Sequence, residues 1–430
     1  MDLAPITGTE RLEPETLAAM QRARWKSQAE YVSSRSALYG DRRLSGSIEE
    51  LAGLYFTDKE MLREDQRLHP PFGSYLASTP DRIARVHRTS GSTGTAMNIA
   101  LSAADARLWA EVGARAMRLA GLGPGHRVVH CLNYQLWMGG YTDHAVLEAT
   151  GATVIPYGIG GSEKLIDVIR DLKVTAIHCT PSYPSVLEQV IAEHFPGLRP
   201  HDLGLELGLF GGESGLDQPA FRERLERVWG FKVRNANYGV SDVLTIMAGQ
   251  SETSADLHFI AGDVLYPQLI APHDGSAKSW QEGETGELVL THLARECQPL
   301  VRFRTGDIVT VTGTGPIPGG VTAPRFKVVG RSDDMVVVRG LNMFPAMVQG
   351  VVAQFPELSG EYRIVLETPP PHDILPLEVE LAHELAPEGL GAFLEAAIKR
   401  QLGSTARVTI LPPASLPRSE GKSRRVIRRY

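Results

Sequence analysis

The sequence predicts an α/β protein: a large N-terminal domain built on a mostly parallel sheet, then a small α+β domain at the C-terminus. Three observations carry that expectation. Between Ala103 and Asp242, short apolar runs alternate with amphipathic stretches of about ten residues, the pattern of strands linked by helical crossovers. From His258 onward the pattern changes to short strands and turns. The chain of 430 residues also exceeds the length at which one hydrophobic core usually stops growing. Placing the boundary after Val328–Ser332 gives a large domain over 1–332 and a small one over 333–430.

The elements follow in order. Residues 1–80 read as a polar helical lead-in, with apolar residues at helical spacing from Glu13 to Tyr31 and a capped helix start at Ser47-Ile48-Glu49-Glu50. Arg82 to His87 and Met97 to Leu101 read as extended pieces around a Ser/Gly loop. Ala103 to Ala120, rich in Ala, Arg and Leu, predicts a helix stopped by Gly121-Leu122-Gly123-Pro124-Gly125. Strands are expected at Val128–Leu132, Thr153–Pro156, Ala176–Cys179, Leu205–Phe210 and Val233–Tyr238. Helices are expected at Thr142–Ala149, Lys164–Leu172 and Gln218–Trp229. Glu287–Thr291 reads as a short strand and the Gly/Pro/Thr-rich Val311–Pro324 as a loop. In the small domain, Met335–Arg339, Tyr362–Glu367 and Leu377–Leu381 predict strands, and Leu390–Leu402 a helix.

Bulk composition narrows the function classes. A net charge of -6 gives no electrostatic case for nucleic-acid binding. Cys131, Cys179 and Cys297 are odd in number and outside any CxxC spacing, which argues against a disulfide framework and for a reduced, cytoplasmic setting. The N-terminus carries Glu10, Arg11, Glu13 and Glu15 where a signal peptide would be apolar, and no apolar run is long enough to span a bilayer. No membrane association is expected.

Chemistry is concentrated in loops that follow strands, where ligands of parallel sheets gather. In Arg88-Thr89-Ser90-Gly91-Ser92-Thr93-Gly94-Thr95, seven of eight residues are Thr, Ser or Gly, so backbone N–H groups and hydroxyls are open to an anion. It is not a Walker loop, because Gly94 is followed by Thr95 and Ala96. By residues alone it is either a phosphate cradle or a polar surface turn. Three further loops have the same placement: Gly211-Gly212-Glu213-Ser214, Asn237-Tyr238-Gly239-Val240-Ser241-Asp242 and Arg302-Phe303-Arg304-Thr305-Gly306-Asp307. Gly330-Arg331-Ser332-Asp333-Asp334 lies at the boundary, and Pro417-Arg418-Ser419-Glu420-Gly421-Lys422 ends on a lysine in a Gly/Ser turn.

In this order and at these separations, the stretches resemble the adenylate-forming superfamily of acyl-CoA synthetases, peptide-synthetase adenylation domains and luciferases, most closely the phenylacetate-CoA ligases. Phe56-Thr57-Asp58-Lys59-Glu60-Met61-Leu62-Arg63, Pro71-Phe72-Gly73 and Arg339-Gly340-Leu341-Asn342-Met343-Phe344-Pro345 match as well, so the likeness covers nearly the whole chain. It implies a large layered domain and a small mobile lid, with ATP, magnesium and coenzyme A taking part. A carboxylate attacks the α-phosphorus of ATP, and a thiol then displaces AMP from the acyl-adenylate.

The resemblance also implies roles. Ser90, Gly91, Ser92, Thr93 and Gly94 would face the β- and γ-phosphates. Lys422 would bridge carboxylate and α-phosphate; by charge alone it is one more member of a basic tail with Arg424, Arg425, Arg428 and Arg429. Asp307 would accept from the ribose hydroxyls, and Arg331 would lie at the ribose or phosphates. Asn237, Tyr238, Gly239 and Ser241, with Gly212, Glu213 and Ser214, would surround adenine, and Asp333 would be the hinge. Asp242 stands where the family usually has glutamate and would hold magnesium directly or through water. Some relatives carry a structural zinc on cysteines; Val311–Lys327 has none, and no zinc is expected.

On the acyl side, Tyr134-Gln135-Leu136-Trp137-Met138-Gly139-Gly140 resembles the stretch that lines the aryl pocket of these ligases. Tyr134, Trp137, Gly211 and Gly239 would wall a flat slot suited to an aromatic acid, with Gln135 or Asn133 meeting an amino or hydroxyl substituent. Trp137 reads equally as core packing. The motifs leave open whether the acyl group passes to coenzyme A or, as in biosynthetic relatives, to a carrier-protein thiol or an amine. Such enzymes are often dimers, which allows a homodimer; the sequence itself leaves the assembly open.

Overall fold

The computed structural model describes residues 8–40, 42, 44–89, 96–213, 216, 219–417 and 425–430. Among them the dominant feature is one twelve-stranded sheet. Its parallel part runs Thr153–Pro156, Arg127–His130, Ala176–Cys179, Leu207–Gly211, Lys232–Val240. Alternation along these strands explains why they are buried on both faces. Val128, Ala176 and Leu209 point into a core shared with the helices Pro14–Arg35 and Ala103–Leu119. Their neighbours Val129, Ile177 and Phe210 point into a second core under Ser162–Asp171, Tyr183–His194 and Pro219–Trp229.

The α/β class with a separate small domain is as expected, but the sheet is mixed rather than mostly parallel. From Lys232–Val240 it continues antiparallel through Leu244–Gln250, Leu257–Phe259, Arg325–Arg331, Phe303–Gly313, Thr285–His292, Leu265–Ile270 and Ala277–Lys278. The physical reason is connection length. Among the described residues, this sheet's strands from Leu244 to Arg331 lack intervening helices, and a parallel pairing needs a crossover of about a dozen residues. Leu244–Gln250, buried along its whole length, forms the seam between the two parts.

Local determinants are plain at the helix Ala103–Leu119. Ser102 and Asp105 form a reciprocal cap, Asp105 N donating to Ser102 Oγ at 3.0 Å and Ser102 N to Asp105 Oδ2 at 3.1 Å. Gly113 lets this helix press against its neighbours, since a Cβ there would meet Val146 at 2.5 Å and Ile246 at 3.3 Å. The helix Met138–Ala149 begins four residues before the expected start, so Met138, Gly139 and Gly140 belong to its first turn.

The small domain has its own four-stranded sheet, ordered Ala406–Leu411, Leu375–Leu381, Leu358–Leu366, Val426–Arg428, packed against Pro345–Val352 and Leu390–Leu402. Val426–Arg428 pairs parallel with Leu358–Leu366. Val426–Arg428 are therefore a sheet strand rather than part of a solvated basic tail. Arg425 ion-pairs with Glu361 at 2.6 Å, lies over the Tyr362 ring, and Arg429 pairs with Glu367. No helix of the described residues is long and apolar enough to cross a membrane.

Candidate active site

The carboxyl ends of the central parallel strands, at Gly211 and Asn237–Val240, adjoin the sheet's antiparallel half, and two groups of side chains meet there. Ser90 to Gly94, Ser214 and Lys422 lie outside the described residues.

The first group spans three strands. The Tyr238 hydroxyl donates to Asp307 Oδ2 at 2.7 Å, and Arg331 Nη1 donates to Asp307 Oδ1 at 2.7 Å. Asp307 and Arg331 face each other in register. Arg331 also grips Asp333 through Nε at 2.8 Å and Nη2 at 3.0 Å, so one guanidinium links the predicted ribose carboxylate to the predicted hinge. Gly306, at φ 76°, permits this, since a Cβ there would come within 2.9 Å of the Arg331 guanidinium. Burial opposes the charge on Arg331, but Asp307 and Asp333 outweigh it and raise its pKa. Burial and then the Asp307 charge push the Tyr238 phenol well up, so it remains a hydrogen-bond donor. A carboxylate only accepts, so Tyr238 and Arg331 hold Asp307 by one charge-assisted contact at each oxygen.

Glu213 turns toward the preceding strand–helix loop, where its Oε2 accepts from Ser182 N at 3.2 Å. Burial raises its pKa, while Ser182 and Arg425 of the small domain favour its charged form. Arg425, three residues after Lys422, is thus close enough to the end of Leu207–Gly211 to act on it. Gly212 is open and adopts φ 83°; Ser241 is half-buried in the turn before Leu244–Gln250.

Asp242 is 6% exposed and pairs with Lys59, whose Nζ donates to Oδ2 at 2.9 Å; Oδ1 has no partner. Among the described residues no cluster of three or more His, Cys, Asp or Glu is poised around a metal. One carboxylate with a free oxygen nonetheless fits magnesium, which in nucleotide sites takes one or two carboxylates and the substrate's phosphates.

The second group lies on the acyl side. Tyr134 bonds His144 Nδ1 at 3.0 Å and stands edge-on to His130 at 5.3 Å. Trp137 is half-buried at the helix start and joins none of the hydrophobic clusters of the described residues. Asn133 is half-buried and its Oδ1 accepts from Gln135 N at 2.8 Å, while Gln135 is exposed. Gly211 and Gly239 are both required: a Cβ would come within 2.3 Å of Asn237 O and 1.9 Å of Thr245 O, respectively.

The Asn237 side chain lies on the opposite face of its strand from the Tyr238 side chain. Its amide turns away from Asp307, donating to Asp143 Oδ2 at 2.6 Å and meeting His178 Nε2 at 3.3 Å. Behind it, His178 Nδ1 and His130 Nδ1 are 2.8 Å apart, and His130 Nε2 reaches Gly140 O at 2.9 Å. Since a carbonyl only accepts, the contact assigns every tautomer: His130 Nε2 donates, His130 Nδ1 accepts from His178, and His178 Nε2 accepts from Asn237. Burial lowers the His130 pKa to about 4 and holds His178 well below the usual range, so both rings are neutral. Asp143, His130 and His178 were not singled out from the sequence. Their only signal is a polar residue inside otherwise apolar strand and helix patterns.

A large mixed α/β sheet with a separate small C-terminal domain, and an aspartate–tyrosine–arginine cluster where the two halves of the sheet meet, fits an adenylate-forming enzyme. Comparison with known proteins agrees. Residues 340–429 match the family model of the AMP-binding enzyme C-terminal domain. Phenylacetate-coenzyme A ligase of Thermus thermophilus is 33% identical over 97% of this chain and 98% of its own length. The chain belongs to the phenylacetate-CoA ligase family. A solved 2-hydroxyisobutyryl-CoA ligase, in the postadenylation state with 2-HIB-AMP, aligns with TM-score 0.89 at 28% identity, covering 100% of this chain and 94% of that one. The same ligase in the thioesterification state aligns at 0.71 over equal coverage. This chain thus superposes better on that ligase's postadenylation structure than on its thioesterification structure.

Proposed function

We propose that the protein activates an aromatic carboxylic acid with ATP and transfers the acyl group to coenzyme A. The acid's carboxylate oxygen attacks the α-phosphorus, pyrophosphate leaves, and the coenzyme A thiol then attacks the acyl carbonyl with AMP as leaving group. The observation that carries this reading is the Asp307 carboxylate held by Tyr238 and Arg331, next to the strand ends that carry Gly211 and Gly239. Nucleotide and acid would thus occupy adjoining ends of the same strands, and orientation of this kind lowers a bimolecular barrier.

Each side chain has a defined task. Asp307 receives the ribose hydroxyls, with Arg331 keeping its carboxylate ionised and oriented. Tyr238, Gly212, Glu213, Ser214 and Ser241 surround the base, and Ser90 to Gly94 donate to the β- and γ-phosphates. Lys422 brings its ammonium to the carboxylate and α-phosphate, where charge develops during attack. The closeness of Arg425 to Glu213 supports that approach. Asp242 would hold magnesium through its free oxygen, and the metal would supply neutralisation of phosphate charge. The domain boundary falls at Ser332–Asp333, and Asp333 turns the lid between the two half-reactions. Tyr134 and Trp137 wall the aromatic ring. Three buried free thiols favour a reducing, cytoplasmic setting.

The test is exchange of labelled pyrophosphate into ATP across a panel of acids, followed by product analysis with and without coenzyme A. Aromatic acids should drive exchange, and an acyl-CoA should form. Exchange confined to aliphatic acids would refute the aromatic assignment, and acyl transfer only to an added carrier protein or amine would refute coenzyme A as acceptor. Replacing Lys422 by alanine should abolish exchange while ATP still binds; full exchange would remove its role. Gel filtration reads whether the enzyme is a homodimer.

A further inference from the structure

Three glycines on the predicted acyl side pack close to one buried carboxylate or to its neighbours. Gly211 abuts Asn237, whose amide bonds Asp143; Gly239 abuts Thr245, whose hydroxyl faces Asp143; and a Cβ on Gly139 would lie 3.4 Å from Asp143 Oδ2. Asp143 is 1% exposed. Its Oδ2 accepts from Asn237, but Oδ1 has no hydrogen-bond partner. Thr245 lies near enough to favour the charged carboxylate, yet its hydroxyl makes no hydrogen bond within normal length and is itself unpartnered. No cationic side chain pairs with Asp143 among the described residues.

Two other fully buried aspartates are held differently. Asp105, equally buried, accepts from Glu296 N at one oxygen and from Cys297 N and Ser102 N at the other. Asp263 receives a two-pronged contact from Arg115 at 2.6 and 3.1 Å. Both are satisfied at each oxygen, as buried charges normally are. Asp143 alone of the three keeps an acceptor open, and it does so beside Gly139 and the Asn237 amide. The neutral His178–His130 pair behind Asn237 fixes the amide without supplying a positive charge.

We propose that Asp143 is the specificity-determining residue of the acyl slot, receiving an N–H or O–H group carried by the acid, so that the substrate is an aromatic acid with an amino or hydroxyl substituent. This rests on the ligase reading above. A site built to accept a substrate donor strongly rejects the analogue that lacks it, because its buried acceptor is then left unpaired.

The experiment compares matched benzoate- and phenylacetate-sized acids bearing amino, hydroxyl or methyl at the same ring position, in pyrophosphate exchange. Methyl has nearly the volume of amino but donates nothing. For the wild type, kcat/KM for the best amino or hydroxy acid should exceed that of its methyl counterpart by about 100-fold or more. In Asp143→Ala and Asp143→Asn the ratio should fall below about 10-fold, with most of the change in KM for the donor acid and a gain for the methyl acid. Asparagine keeps the size and the Asn237 contact, so it decides the matter should the alanine variant fold poorly. Equal use of methyl and donor acids by the wild type, or an undiminished preference in Asp143→Asn, would overturn this assignment and leave the ligase reading standing. Exchange with no acid at all would overturn both.

Discussion

Asp143 should make the enzyme less stable in alkali than it needs to be, and Asp143→Asn should reveal by how much. Burial raises its pKa from 3.8 to about 7, against the smaller opposing effects of Asn237 and Thr245. A shift of that size corresponds to about 4 kcal/mol. The sign follows from which state binds the proton. The folded protein holds the proton more tightly than the unfolded chain, so the associated stability is fully present below pH 3.8 and lost as pH rises through about 7. Above that, the protein folds around an uncompensated charge. The amide introduced by Asp143→Asn carries no charge at any pH, so the variant-minus-wild-type difference isolates this one group. It should grow in the variant's favour between pH 5 and 8 by roughly 2–4 kcal/mol, then level off. Thermal midpoints of both proteins across that range provide the assay, with a relative rise of several degrees in the variant at pH 8. A difference that stays flat with pH, or one that favours the wild type more at pH 8 than at pH 5, would refute the claim that Asp143 is buried without a cation. A stabilised but unselective variant is the expected trade at a binding carboxylate.

Other substitutions probe the rest of the site. Tyr238→Phe removes one donor from Asp307; the loss of a hydrogen bond to a charged group, about 1.5–3 kcal/mol, should raise KM for ATP roughly 10- to 100-fold, read in steady-state exchange, and an unchanged KM would contradict it. Gly211→Ala places a methyl 2.3 Å from Asn237 O, so Asn237 must move and leave Asp143; exchange should be lost and the thermal midpoint lowered. Gly212→Ala, with open space but φ 83°, should cost only about 1–2 kcal/mol, and equal effects of the two would show that crowding is not what protects Gly211. Lys59→Met strips Asp242 of its ion pair. Lys59 is 37% exposed, so solvent screening limits the loss to about 1–2 kcal/mol, measured by urea unfolding, and Asp242→Asn in the same background should recover part of it.

Much of the fold was legible residue by residue. Ala176–Cys179 and Leu390–Leu402 occur as expected, the first a short apolar run between turns, the second an apolar stripe bounded by Gly389 and Gly403. The helix Tyr183–His194 escaped notice because Pro184 reads as a breaker, although proline is tolerated in a first turn. Val426–Arg428 was obscured by the arginines around it, which local charge alone assigns to solvent; Glu361, Glu367 and Tyr362 that receive them come from a strand about sixty residues earlier.

What the amino-acid order settled by itself was the inventory: which segments alternate, which loops carry Ser, Gly, Asp and Lys, and in what succession they occur. These properties are local, written in periodicity and turn chemistry. Only the folded chain decided the antiparallel half of the sheet, the bonding of Asn237 to Asp143, and the meeting of Asp143, His178 and His130. Those partners are 94, 59 and 48 residues apart in their successive contacts. No spacing rule spans such distances, because what brings them together is the burial of helices and strands against one sheet, and a side chain's partner is set by which faces that packing closes.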